Sequence, residues 1–251
     1  MELLFHNSKF EQKVREQLNI FARSITDIDA LLVTELDLVD CYLADEDIGM
    51  LLNFCNLKTL TLEMKYMGSS FWAHFPKLED LHWIVWSESV DFSVFSNMKN
   101  LTGLTVSGGD YSSIVFNNLE ALIPLEKLAH LQLYEFGSVD LAPLEKMKQL
   151  KTLLVCYSYD VKNIDVIGTM TQLESLVLAG LLVDNLNFLD TLSDDLDIEM
   201  CGIQIPRANA VDVSKWKRFK KRNICEIEEK NLWWEYIDLS ELNDSSKCPS
   251  P

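Results

Sequence analysis

The segment Leu128-Ala129-His130-Leu131-Gln132-Leu133-Tyr134-Glu135-Phe136 is followed by Leu150-Lys151-Thr152-Leu153-Leu154-Val155-Cys156-Tyr157-Ser158 and then by Leu173-Glu174-Ser175-Leu176-Val177-Leu178-Ala179-Gly180-Leu181. All three fit one frame, L-x-x-L-x-L-x-x-N/C-x-L, through their first, fourth and sixth positions. Alternating apolar residues in so short a run make a strand whose fourth and sixth side chains face one way and whose third, fifth and seventh face the other. A single strand of this kind cannot bury its own apolar edge. Copies stacked side by side share one core, so the repeat predicts a solenoid with a parallel sheet.

Working outward, the frame also accepts Val33, Leu36 and Leu38; Leu57, Leu60 and Leu62; Leu78, Leu81 and Trp83; and Leu101, Leu104 and Val106. A weaker eighth copy has Ser193 in the first position, then Leu196, Ile198, Cys201 and Ile203. The fourth-position residues lie 20 to 27 apart, close to the leucine-rich period of about 20 to 29. Between strands a second apolar set, such as Val139, Leu141, Leu144 and Met147, predicts short helical or 3₁₀ segments on the convex side. A longer convex helix is expected where Ile114, Phe116, Leu119, Leu122 and Ile123 are spaced helically.

The ends of a solenoid need caps. A capping box at Ser8-Lys9-Phe10-Glu11, apolar Phe10, Val14 and Leu18, and a second box at Thr26-Asp27-Ile28-Asp29 predict a two-helix cap over residues 1–30, ahead of repeats over 31–205. The sequence Phe10-Glu11-Gln12-Lys13-Val14-Arg15-Glu16-Gln17-Leu18, followed by Ile25-Thr26-Asp27-Ile28-Asp29 and Leu36-Asp37-Leu38, resembles the cap and first repeat of bacterial internalin-like leucine-rich-repeat proteins. The resemblance runs over roughly residues 7 to 203. It departs at the ladder position, where asparagine is replaced by Cys41, Lys65, Trp86, Gly109, Phe136, Ser158, Leu181 and Cys201, so host-receptor binding of the internalin kind is not carried over.

After Ile203 the pattern changes. Ser214-Lys215-Trp216-Lys217-Arg218-Phe219-Lys220-Lys221-Arg222 reads as a basic capping helix with Trp216 and Phe219 docked inward. Cys225, Ile227, Lys230 and Leu232 refit the frame as an edge rung, with Trp233, Trp234, Tyr236 and Ile237 covering the open end. Residues 206–242 are thus expected to form a C-terminal cap, and residues 243–251 a disordered tail.

Charge bounds the partners. The chain carries a formal −17, with 13 basic and 31 acidic side chains in residues 1–205. Such a body repels nucleic acid and anionic lipid and favours a basic protein. Met1-Glu2-Leu3-Leu4-Phe5-His6 has no positive leader region, no stretch is apolar enough to span a bilayer, and six cysteines occur without a CxxC pair. A cytoplasmic location with reduced thiols is expected. The four histidines start no metal motif, no phosphate-binding or nucleophile-elbow motif is present, and no cofactor is called for. One nucleophilic pairing stays open, Cys156 with His130 on neighbouring rungs.

The outward positions carry the functional expectation. Acids lie at both ends, with Asp37 on the first strand, Asp80 beside His82 on the third, and Asp195, Asp197 and Glu199 on the eighth. Between them the strands expose Tyr134 and Leu154, with Tyr157 and Tyr159 in the adjoining loop. An aromatic centre rimmed by charge is the composition of a protein-binding patch. The expected role is therefore non-catalytic protein binding on the concave face by a monomeric or weakly self-associating chain. An immunity-type inhibitor of a basic toxin and a scaffold associating through its C-terminal edge are the alternatives.

Overall fold

The computed structural model describes residues 1–109, 113–206, 213–219, 221–230 and 236–238. Its main sheet is built from β1 (Glu35–Leu38), β2 (Thr59–Lys65), β3 (Asp80–Trp86), β5 (Gly103–Ser107), β7 (His130–Asp140), β8 (Thr152–Lys162), β9 (Ser175–Leu181), β10 (Asp197–Pro206) and β11 (Lys221–Lys230). These run parallel in sequence order, and β12 (Tyr236–Asp238) joins β11 antiparallel. Two short strands, β4 (Ser89–Asp91) and β6 (Val115–Asn117), pair with each other beside the main path.

Register follows the leucines. Leu36, Leu60, Leu81, Leu104, Leu131, Leu153, Leu176 and Ile198 pair in one row, all buried. Two residues on, Leu38, Leu62, Trp83, Val106, Leu133, Val155, Leu178 and Met200 make a second buried row. Each such side chain contributes roughly 1.5 to 3 kcal/mol by leaving water. Strand pairing links each rung to its neighbours, so the core is continuous along the solenoid.

The eighth rung corrects the sequence frame by two residues. The row places Ile198, not Leu196, in the fourth position. The approach Leu173-Glu174-Ser175-Leu176 has lost one residue in Leu196-Asp197-Ile198, and Leu196 is buried as the first-position residue. An even shift preserves which face each side chain takes. The ninth rung is present but also offset, since Arg222 pairs with Ile198 and Ile224 with Met200, leaving Cys225 opposite Cys201. Leu232, Trp233, Trp234 and residues 243–251 lie outside the described residues.

Strands leave the sheet by two kinds of corner. In five rungs a residue in the left-handed region precedes one buried beneath the bend: Asp40 before Cys41, Glu135 before Phe136, Tyr157 before Ser158, Gly180 before Leu181, and Gly202 before Ile203. Lys65 and Trp86, at the same frame position, instead stay in paired strands and point outward. The missing asparagine ladder has a substitute elsewhere. Asn56, Asn100, Gln149 and Gln172 each stand just before a first-position leucine, and each donates its amide to a carbonyl of the preceding rung (Leu31, Pro76, Leu125 and Met147) at 2.7 to 3.2 Å. These bonds tie each turn to the one before it; the Leu125 and Met147 carbonyls, which already accept the Leu128 and Leu150 amides, take them as second bonds.

The convex side is short, as the repeat length requires. It holds 3₁₀ segments at Phe92–Phe95, Leu119–Leu122, Ala142–Lys146, Ile164–Thr169 and Asn187–Thr191, with α-helices α3 (Asp45–Leu51) and α4 (Ser69–Trp72) in the first and second rungs. The long helix expected around Ile114–Ile123 does not form. Val115-Phe116-Asn117 alternates exposed and buried as β6, and the left-handed Asn118 separates it from the short 3₁₀ turn Leu119–Leu122. Phe116 is held by rings on both sides, 5.4 Å from Phe92 and stacked 4.8 Å from Phe136, and this aromatic packing overrides the helical spacing.

At the N-terminus, α1 (Ser8–Leu18) buries Phe10 and Val14 over the first rung. Its cap is Asn7, one residue ahead of the expected box, and the Asn7 side chain also donates to the Cys41 carbonyl. The second box is real: Thr26 and Asp29 bond reciprocally at the start of α2 (Asp27–Ala30). At the other end the basic segment is a 3₁₀ turn, Val213–Arg218, because β11 begins at Lys221 and leaves no length for an α-helix. Trp216 and Phe219 are buried as expected, and Arg218 ties the turn to the repeats through the Leu192 carbonyl (2.6 Å) and Asp194. No helix among the described residues is long and apolar enough to cross a membrane.

Two outcomes follow. Leu131→Ala empties a fully buried site shared by two neighbouring rungs and is expected to cost about 2 to 5 kcal/mol in denaturant unfolding; a change below about half a kcal/mol would place Leu131 outside the core. Arg23, bound to Asp29 by two hydrogen bonds of 2.6 and 2.7 Å, and Thr26 hold the Asp29 carboxyl far below the ordinary carboxylate range. Because the folded value is depressed, this stabilisation is present above about pH 4 and is lost as pH falls further. Asp29→Asn should lower the melting temperature at pH 7 and flatten its decline between about pH 4 and 2.

Candidate functional site

The open face of the sheet carries three rows of side chains. The first reads Glu35, Thr59, Asp80, Gly103, His130, Thr152, Ser175, Asp197; the second Asp37, Thr61, His82, Thr105, Gln132, Leu154, Val177, Glu199. A third runs Glu63, Ile84, Ser107, Tyr134, Cys156, Ala179, Cys201. The face is therefore graded. Polar and charged groups fill its β1 to β7 end, small and apolar ones its β8 and β9 section, and Asp197 and Glu199 return charge at β10.

Tyr134 and Tyr157 are brought together, and Leu154 stands on the neighbouring strand two residues before Cys156, the partner of Tyr134. Tyr134 is half-buried on the third row and its hydroxyl donates to Gln132 Oε1 at 3.3 Å. Burial, with Cys156 and Tyr157 alongside, raises its phenol above the ordinary value. Leu154 is half-exposed next to it on the second row. Tyr157 and Tyr159 are not in a loop but within β8, past the corner, where they are 47% and 70% exposed. The Tyr157 backbone is left-handed, at φ 58°. Its ring lies on Gly180, so close that a Cβ there would be 2.5 Å from the ring. Glycine at 180 thus serves the positive φ and the ring seat together.

The charged candidates are dispersed. Asp37 stands on β1 beside Lys13 at 3.8 Å. Asp80 opens β3, and His82 is half-buried on the second row, where burial lowers its pKa against the pull of Asp37. Asp197 and Glu199 point outward from β10, whereas Asp195 precedes that strand and belongs to the approach turn. Seven strand spacings separate Asp37 from Glu199, roughly 33 Å. An ordinary interface of about 800 Å² per side is roughly as wide as that span, so the two acidic ends lie at opposite edges of such a patch.

The Cys156 and His130 pairing is not formed. They occupy different rows, His130 Nδ1 is 3.0 Å from Thr152 Oγ1, and Cys156 is 3% exposed. Among the described residues no group of histidine, cysteine and acidic side chains is arranged to hold a metal.

The sheet register, the one-sided rows and the short convex turns decide the architecture. The chain has the leucine-rich-repeat fold. Internalin F of Listeria monocytogenes superposes with a TM-score of 0.59 at 15% identity, over 91% of this chain and 72% of that one. Internalin C2 of the same organism gives 0.52 at 16% identity, over 78% and 94%. A TDR receptor gives 0.52 at 15% identity, over 79% of this chain and 41% of the receptor. No protein-family model and no curated protein matches the sequence.

Burial pushes the Cys156 thiol up to about 12, so almost no thiolate exists at neutral pH. Native protein at pH 8 should leave Cys156 unalkylated by iodoacetamide while half-exposed Cys55 reacts, as peptide mass analysis would show. Fast labelling of Cys156 would contradict the buried assignment.

Proposed function

We propose that this leucine-rich-repeat chain is a non-catalytic binding module that holds a basic protein on its open face. The observation that carries the reading is the patch of Tyr134, Leu154 and Tyr157 on the sheet and its rim, with acidic side chains on the strands toward either end. An aromatic anchor seated on a glycine loses little freedom on binding, which is the property of a hot spot. The body's excess of acidic groups steers a cationic partner and repels nucleic acid and anionic membranes. Tyr159 and His82 extend the contact, Asp37 and Asp80 form one charged rim, and Asp195, Asp197 and Glu199 form the other. Cys41, Cys55, Cys156 and Cys201 are in no disulfide among the described residues, which fits a reducing, cytoplasmic setting.

Neutralising a basic toxin is one form of this activity. Assembly of a scaffold through the β11–β12 edge is the rival, and sedimentation over a range of concentrations separates a monomer from an assembling chain. With a partner captured on the purified protein, Tyr157→Ala and Leu154→Ala should each weaken affinity about 30-fold, equivalent to about 2 kcal/mol. Replacing Asp37 and Asp80 with Asn should slow association chiefly at low salt. Unchanged affinity in the Tyr134→Ala, Tyr157→Ala double mutant, combined with loss of binding on convex-side changes, would refute the open-face assignment.

A further inference from the structure

Gly103 interrupts the first row between Asp80 and His130, and the gap is a hollow of about 230 Å³. Its walls are Thr61, Asp80, His82, Thr105, His130 and Gln132. The Asp80 carboxylate leans into it, because a Cβ on Gly103 would lie 2.2 Å from Asp80 Oδ1. That carboxylate accepts one long bond, 3.4 Å, from Thr102 Oγ1. Among the described residues no lysine or arginine pairs with it. An ionised carboxylate has about four acceptor sites, so most of its capacity is unspent within the protein, with Oδ1 at the hollow.

A second depression, of about 290 Å³, adjoins the first across Thr59 and Thr61 and contains Glu16, Glu35 and Asp37, with Lys13 as its cation. The combined trough is acidic. His82 adds no positive charge at neutral pH, since burial lowers its pKa, and its imidazole lines the hollow with the carboxylate.

We propose that the Gly103 hollow is the pocket for an arginine side chain of the protein partner, with Asp80 as the paired carboxylate and His82 and His130 as flat walls. This rests on the open-face reading and gives it a chemical specificity. A guanidinium is planar, holds five donors in a fixed fork and stacks on flat rings, so it uses the spread acceptors and both imidazoles. An ammonium, a compact and strongly hydrated charge, uses the carboxylate alone.

The test is an NMR titration of the whole chain at pH 7.5 with N-acetyl-arginine amide, following the His82 and His130 ring signals. N-acetyl-citrulline amide and N-acetyl-lysine amide serve as neutral and ammonium comparisons. Arginine amide should give saturable shifts at both rings, citrulline none, and lysine binding at least five-fold weaker. Asp80→Asn, isosteric and exposed, should abolish the arginine shifts. Gly103→Ala should do the same by filling the hollow and displacing the carboxylate; its backbone is not left-handed and the displaced atom ends a movable side chain. Absence of saturable shifts, equal response to citrulline, equal affinity for lysine, or an unaltered titration in a folded Asp80→Asn protein would overturn the assignment. If arginine fails to bind while Tyr157→Ala still weakens a captured partner, the pocket alone is wrong. Loss of both effects removes the open-face reading as well.

Discussion

Everything in this molecule depends on strand-to-strand stacking of the fourth- and sixth-position side chains. One rung supplies two or three inward apolar groups and can bury none of them alone. Parallel pairing at about 4.8 Å places each leucine on its counterpart above and below, so apolar burial and backbone hydrogen bonding are satisfied by the same neighbour. Stability therefore accrues by interfaces, and both ends need closing. Phe10 and Val14 of α1 close one end, while Trp216 and Phe219 are buried at the other, where Arg218 reaches back to Leu192 and Asp194.

The second constraint is what to do with backbone polar groups where a strand turns off the sheet. Repeats with an inward asparagine at the ladder position solve this from inside the corner. Here Cys41, Phe136 and Leu181 occupy that position and bring only apolar volume, with Ser158 reaching the Gly137 carbonyl at 3.2 Å. Side-chain amides act instead at the opposite turn, where Asn56, Asn100, Gln149 and Gln172 each bond the preceding rung. The apolar ladder residues in turn thicken the core, most clearly where Phe136 stacks on Phe116.

The open face divides its labour along the solenoid. At β8 and β9 it is low and apolar, edged by Tyr157 on its glycine seat; at β1 to β7 it is hollowed and acidic. In the proposed role this gradient orients the partner before close packing decides whether it stays. Cys156, the nucleophile that shares neighbouring rungs with His130, is buried as a neutral thiol on a different row.

By itself the sequence determined the fold, the seven regular rungs and the face each side chain takes, because a period-2 pattern inside a period of about 22 residues has only one way to bury every leucine. It also identified Tyr134 and Leu154 as outward and Trp216 and Phe219 as inward. Only the tertiary structure decided the rest. The eighth and ninth registers shifted because a rung aligns to its neighbour's hydrogen bonds, not to an ideal motif. Ile114–Ile123 lost its helix to aromatic packing from the adjacent rungs. The amide bonds of Asn56, Asn100, Gln149 and Gln172 were written in plain view ahead of each leucine, yet their acceptors lie about one repeat away. The Gly103 hollow was invisible for the same reason: a glycine in one strand becomes a pocket only when Asp80 and His130, 23 and 27 residues distant along the chain, stand on either side of it.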